Sequence, residues 1–271
     1  MSLFQAAVLG VVQGLSEFLP ISSSGHLIMV PFLFGWAPHS QAFDLALHVG
    51  TLIALLWFFW AEWLALIRGF FSGLVSAETR ATDPSWRMAL LVLLGSIPAG
   101  LIGVVGQKPV EDLFRSPVLN AGLLIVFGLV LFVADRLAKL KRTLDEVGPT
   151  DAATMGLAQA LALMPGVSRS GITITAGLFR ELDRTAAARF SFLLSGPIIA
   201  AAAALKLREG IPSAELGAAL VGAICAAVVG FLSIGLLLRY LQRNSLTVFV
   251  IYRVLFGLLV IGVALARGTP G

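Results

Sequence analysis

Runs of about twenty apolar residues, separated by short polar loops, recur along most of the 271-residue chain. A helix of that length crosses the hydrocarbon of a bilayer, and since no water is present there to satisfy a bare peptide group, each run has to be helical. The runs predict spans at Phe43 to Ala61, Met88 to Val105, Leu119 to Leu137, Ala186 to Leu205, Leu216 to Leu238 and Thr247 to Ala266. Six full spans and one integral membrane domain over residues 1–271 follow, in an all-α polytopic architecture. Composition agrees: 58% of residues are hydrophobic and 13% charged, against roughly 25% charged in soluble domains. Mean hydropathy is +0.94. The net charge of +4 does not point to nucleic acid, because the basic residues are scattered over loops as membrane topology requires. A single cysteine, Cys225, excludes a disulfide framework. The N-terminus is apolar from Leu3 without a basic segment or cleavage signal, so it reads as part of the fold rather than as a removed leader.

Two further apolar segments, Leu3 to Trp36 and Ala152 to Phe179, are each broken near the middle. Pro20 lacks an N–H, and Ser22, Ser23, Ser24 and Gly25 supply competing hydrogen bonds and a permissive backbone. Pro165 and Gly166, followed by Ser168, Arg169, Ser170 and Gly171, repeat the pattern. Irregular backbone at membrane depth must be shielded by protein or line a cavity, so both segments are expected to be re-entrant helical hairpins.

The two breaks lie 146 positions apart, and the same offset pairs Gly10 with Gly156, Gln13 with Gln159, Leu15 with Leu161, Ser22 with Ser168, Ser24 with Ser170 and Gly25 with Gly171. It also pairs Leu47 with Leu193, Gly50 with Gly196 and Ala54 with Ala200. Internal repeats over about 1–138 and 147–271 are expected, each with one hairpin and three spans. An odd span count turns the second repeat over relative to the first. In inverted repeats, broken helices meet near the midplane with their N-termini aimed at an anionic ligand, which would make the two serine clusters neighbours. With both termini on one side, the other side collects Arg68, Arg80, Arg87, Arg136, Lys139, Lys141, Arg142, Arg180, Arg184, Arg189, Arg239 and Arg243. The terminal side keeps Lys108, Arg115, Lys206, Arg208 and Arg267, so both termini are expected outside the cytoplasm.

Charges within apolar helices are expensive and usually functional. Glu17 lies four residues after Gln13, on one helical face just before the Pro20 break. That pair suits metal binding or acid–base chemistry, and an interhelical hydrogen bond is the plainer reading. His26 follows the serine run and can be a nucleophile, base or acid, with Ser23 three residues before it. Arg169, set between serines, offers a fork of donors that fits phosphate oxygens; an ion pair with Glu17 would not exclude that role. The N–H groups of residues Gly166 to Gly171, with the hydroxyls of Ser168, Ser170 and Thr173, can form an anion cradle at a helix start. His48 and Asp44 share a helical face, although Asp44 also suits a helix start, and His39 reads as a loop residue. Arg253, inside an apolar span, fits bundle packing, a carboxylate partner or substrate contact. No Walker-type loop, zinc HExxH pattern or hydrolase elbow occurs.

The stretches Gln13-Gly-Leu-Ser-Glu17-Phe-Leu-Pro-Ile-Ser-Ser-Ser-Gly-His26 and Pro165-Gly-Val-Ser-Arg169-Ser-Gly-Ile-Thr173 resemble the paired signature motifs of bacterial undecaprenyl pyrophosphate phosphatases of the bacitracin-resistance type. The resemblance spans nearly the whole chain. It implies a multi-pass protein of the bacterial cytoplasmic membrane that hydrolyses undecaprenyl pyrophosphate to undecaprenyl phosphate and inorganic phosphate, recycling the cell-wall lipid carrier. A polyprenyl pyrophosphate substrate and a divalent cation, Mg²⁺ or Ca²⁺, follow, with a homodimer left open. Glu17, Ser23, His26 and Arg169 would be catalytic. Ser22, Ser24, Gly25, Gly166, Ser168, Ser170, Gly171 and Thr173 would bind substrate, and Gln13 and Glu17 the metal. The family's acidic motif carries Glu or Gln first and Glu last, so Gln13 is the neutral variant. Either Ser23, activated by His26, or His26 itself could attack phosphorus. An inverted-repeat transporter or polyprenyl-phosphate flippase is the alternative from another class.

Overall fold

The computed structural model describes residues 1–113, 116–206 and 212–268, apart from the side chains of 104–113, 205 and 206. Twelve α-helices occur among them in the order α1 Leu3–Phe18, α2 Ser23–Phe34, α3 Gln41–Phe58, α4 Trp60–Val75, α5 Ala77–Thr82, α6 Pro84–Leu113, α7 Pro117–Leu137, α8 Pro149–Leu161, α9 Arg169–Phe179, α10 Arg184–Lys206, α11 Leu216–Leu241 and α12 Thr247–Ala266. Six have segments long and apolar enough to cross a membrane: Gln41–Phe58, Pro84–Gly103, Pro117–Leu137, Arg184–Ala204, Ser213–Leu241 and Thr247–Ala266. The chain is therefore an all-α polytopic membrane protein, with spans where the apolar runs place them. Their starts are set by local chemistry. The Ser40 hydroxyl accepts the Phe43 N–H at 3.1 Å to cap α3, and Ser116 does the same for α7 ahead of Pro117.

Helices α4 and α5 have no counterpart among the expected spans. Glu62 and Arg68 interrupt the apolar character of α4, whose sixteen residues reach only about 24 Å. Near its start Glu62 pairs with Arg189 of α10 at 2.7 Å, and farther along Gly69 and Gly73 abut Ser85 and Trp86 at the start of α6. Trp63 near its start also packs against Gly196 partway along α10, so α4 runs beside α10 toward the start of α6.

The two broken segments fold as helix, turn, helix. Each first arm packs against the middle span of the other half of the chain. A Cβ at Gly10 of α1 would lie 2.4 Å from the Gly222 carbonyl oxygen of α11, and one at Gly156 of α8 would lie 2.2 Å from that of Gly95 in α6. Backbones this close admit only glycine, and the two glycines stand 146 positions apart.

Much of the basic side expected from the sequence is one tied end of the bundle. Arg87 donates to the carbonyls of Asp145 and Val147, Lys139 pairs with Glu181 at 2.7 Å, and Arg184 pairs with Asp135 at 2.6 Å. Arg142 and Arg180 converge on Asp151, at 2.6 and 2.8 Å. Burial opposes the charge of Asp151, but these guanidiniums and the Gly148 N–H outweigh it and hold the carboxyl down to about 2. The Glu181 hydrogen bond raises the Lys139 ammonium. Toward the other end Arg267 donates to the carbonyls of Phe32 and Leu33. Lys108, Arg115, Lys206 and Arg208, assigned to that side from sequence, lie outside the described residues.

Candidate active site

The site is built by two turns of the same shape. After α1 the chain turns through Ser22 at φ 76°, ψ 94°, and the Ser22 hydroxyl accepts the Gly25 N–H at 3.4 Å to start α2. After α8 it turns through Gly166 at φ 95° and Ser168 at φ 75°, ψ 115°, whose hydroxyl accepts the Gly171 N–H at 3.1 Å to start α9. A left-handed conformation costs a non-glycine residue roughly 1–2 kcal/mol, so packing around each serine holds it there. The turns touch. A Cβ on Gly25 would lie 3.3 Å from the Gly166 Cα, and the Ser170 hydroxyl donates to the Leu19 carbonyl at 3.1 Å. Two helix N-termini therefore meet at one place, each with unsatisfied N–H groups and a partial positive charge.

Glu17 is the hub. It is buried, and its carboxylate accepts the Ser23 hydroxyl at 2.5 Å and the Gln13 amide at 3.1 Å. The Arg169 guanidinium closes an ion pair onto its other oxygen, joining the two motifs. Gln13 also reaches Thr51 at 3.5 Å. His48 of α3 enters the same cluster. Its Nδ1–H donates to the Asp44 carbonyl at 2.8 Å, and its Nε2 lies 4.0 Å from Glu17. Arg169 and Ser23 are only partly buried, unlike Glu17 and Gln13.

His26 faces elsewhere. Its Nδ1–H donates to the Ser22 carbonyl at 2.7 Å, which leaves Nε2 as acceptor for the Tyr252 hydroxyl, also at 2.7 Å. The ring stacks on Phe256 at 4.5 Å between centroids. Ser23 is thus paired with Glu17, and His26 with Tyr252 of α12.

The other sequence candidates hold the turns. Ser22 and Ser168 are caps, Ser168 lies 3.3 Å from Ser170, and the Thr173 hydroxyl bonds the Arg169 carbonyl and Ser191. Gly25, Gly166 and Gly171 provide the close approach, and Ser24 lies half-buried in the first turn of α2. The Glu17 partner His48, the Gln13 partner Thr51 and the His26 partner Tyr252 lie outside the two motifs, and only the fold brings them in. Asp44 bonds His39 at 2.6 Å and sits apart from the hub.

The charged groups here are Glu17, Arg169 and the fully buried Arg253, a net positive set facing two helix N-termini. Such a pocket favours an anion with several oxygens. Among the described residues no group of three or more His, Cys, Asp and Glu could hold a metal ion. Glu17 is the hub's one carboxylate, already paired with Arg169, while the Gln13 Oε1 is buried without a partner among the described residues. That donor set fits a hard cation sharing its shell with phosphate oxygens.

The fold is that of a polytopic membrane protein, with two like turns meeting at one cluster of polar side chains. A family model described as bacitracin resistance protein BacA matches residues 6–259. The undecaprenyl-diphosphatase of Moorella thermoacetica is 48% identical over 264 residues, covering 97% of this chain and 98% of that protein. That of Geobacter sulfurreducens is 48% identical over 272 residues, covering 98% and 100%, and that of Pelotomaculum thermopropionicum is 46% identical over 267 residues, covering 98% of each. The chain belongs to the BacA family.

Proposed function

We infer that the chain is an undecaprenyl-diphosphate phosphatase, a membrane hydrolase that releases inorganic phosphate from undecaprenyl diphosphate and leaves undecaprenyl phosphate, the carrier recycled in cell-wall synthesis, an activity tied to bacitracin resistance. The observation that carries the reading is the Arg169–Glu17–Ser23 chain, which sets a hydroxyl, a base and an anion grip side by side at two helix N-termini. The diphosphate enters between the turns, while its prenyl chain stays in the apolar surroundings.

Arg169 and the N–H groups at the start of α9 take the terminal phosphate, and the anion competes with Glu17 for the guanidinium. Released from that pair, Glu17 accepts the Ser23 proton. Ser23 Oγ bonds phosphorus as the bridging P–O bond breaks, with the electron pair leaving on undecaprenyl phosphate. Water then splits the phosphoserine, the proton returns to Ser23, and phosphate departs. His26, held by Tyr252, lines the attacking half. Glu17 and Gln13 Oε1 would hold Mg²⁺ or Ca²⁺ jointly with the diphosphate; when bound, the cation neutralises phosphate charge.

The matching serine turns and the reciprocal packing of Gly10 and Gly156 support inverted repeats over about 1–138 and 147–271, with the hairpins as re-entrant elements. The tied basic end faces the cytoplasm, which puts both termini on the outer side of the bacterial cytoplasmic membrane. Dimerisation is part of this reading only as an open property of the assembled protein.

The test is phosphate release from undecaprenyl diphosphate by detergent-solubilised protein, with and without chelator. The enzyme releases phosphate where no sealed membrane exists, and a transporter or flippase does not. Release unchanged in Arg169→Ala would overturn the site.

A further inference from the structure

Arg253, in the second turn of α12, is fully buried. Its Nε donates to the Leu124 carbonyl at 2.9 Å, Nη1 to Pro20 at 3.3 Å, and Nη2 to Gly166 at 3.2 Å and Val167 at 3.0 Å. Its described acceptors are all backbone carbonyls, and they come from three elements: the first turn, the second turn and helix α7. Uncompensated charge at such depth is expensive, and a salt bridge would be the usual remedy. Here the guanidinium makes four hydrogen bonds instead, three of them to carbonyls at the two breaks and the fourth to Leu124 within α7. Room is left for it: a Cβ on Gly171 would lie 2.9 Å from Nη1, and one on Gly128 would lie 3.3 Å from the Arg253 Cβ and Nε.

We propose that Arg253 is the positioning residue of the reaction, clamping the Pro20 turn to the Gly166–Val167 turn so that Ser23 and Arg169 meet one phosphate in register. The inference rests on the phosphatase reading for its kinetic arm and on geometry alone for its structural arm. Arg253 touches neither Ser23 nor Arg169. It acts through the backbone of the turns that carry them, and a shift of about 1 Å between attacking and gripping groups is enough to cost about a hundredfold in rate.

Arg253→Lys keeps the charge and loses the fork. The clamp predicts that kcat falls about a hundredfold while KM stays within a few fold, because misregister is felt most in the transition state. It also predicts that, in hydrogen exchange of the purified protein, peptides over 19–26 and 164–172 exchange about threefold or more faster while the remaining spans are unchanged. Wild-type kcat in a folded Arg253→Lys protein, or exchange accelerated evenly across all helices, would overturn it. Should Arg253→Lys fail to fold, Gly128→Ala decides: it leaves Arg253 in place and presses on it from α7, away from the site. The clamp predicts a several-fold loss of kcat with faster exchange confined to the same two peptides, and wild-type kcat with unchanged exchange would overturn it. If wild-type protein released no phosphate, the phosphatase reading would fall, and the exchange data would still decide the clamp.

Discussion

The turns at Ser22 and Ser168 have nearly the same backbone, with φ of 76° and 75°, the same serine cap and the same glycine three residues later, yet they carry different chemistry. Where the first has Glu17, Ser23 and His26, the second has Leu163, Arg169 and Ile172 at the matching positions. A repeated backbone supplies the same helix start twice, and three substitutions make one copy attack and the other grip. The division also explains why the turns must touch: neither half contains a base, a nucleophile and a phosphate ligand together.

Breaking the gripping half should have the largest effect. Arg169→Ala should lower phosphate release about a thousandfold or more, measured as kcat/KM on detergent-solubilised protein. On the attacking side, Ser23→Ala and Glu17→Gln should each lower kcat about a hundredfold to a thousandfold, with the double variant no worse than the more damaged single one, since they act as a pair. His26→Gln should cost only about tenfold, because Tyr252 rather than Ser23 occupies its acceptor nitrogen.

The entry arms of the two hairpins differ in the same way. At the third position of α1, Gln5 forms an exposed capping box with Ser2, while its counterpart Asp151 in α8 is buried under Arg142 and Arg180. Gln5→Ala should cost about 1 kcal/mol or less in unfolding free energy, and Asp151→Asn about 2–3 kcal/mol. Because its folded pKa is depressed, Asp151 contributes fully above the ordinary carboxyl value near 4, and its contribution is lost as pH falls toward about 2. Unfolding midpoints of wild type and Asp151→Asn should therefore converge as the pH is lowered over that window. The smallest effect belongs to Gln159, buried with neither amide atom partnered among the described residues, whereas its counterpart Gln13 bonds Glu17. Gln159→Leu should leave phosphate release within about twofold and stability equal or higher, while Gln13→Leu should lower release about tenfold.

Hydropathy made the six spans legible because an apolar run of sufficient length decides a crossing helix, and the serine, proline and glycine runs marked both breaks. Helix α4 was hidden, since a sixteen-residue segment with Glu62 and Arg68 has no span signal and is held by Gly69 and Gly73 against α6. Glu17, Ser23 and Arg169 stood out as chemistry in apolar segments, but their pairing did not: the sequence places Ser23 nearer to His26 than to Glu17, and the turn at Ser22 reverses that choice. Tyr252 and Arg253 come from the last helix, far along the chain, and His48 from α3, whose place beside Glu17 only the fold sets. Arg253 carried a signal, a charge inside an apolar span, whose partners only the meeting of the two turns creates.

The division between the halves is tested most directly by mixing enzyme with substrate labelled in the terminal phosphate, quenching in acid within one turnover, and locating the label on the protein. The account predicts label on Ser23 in wild type and in His26→Gln, and none in Ser23→Ala. Label on His26, or phosphate release at the wild-type rate from Ser23→Ala, would contradict it.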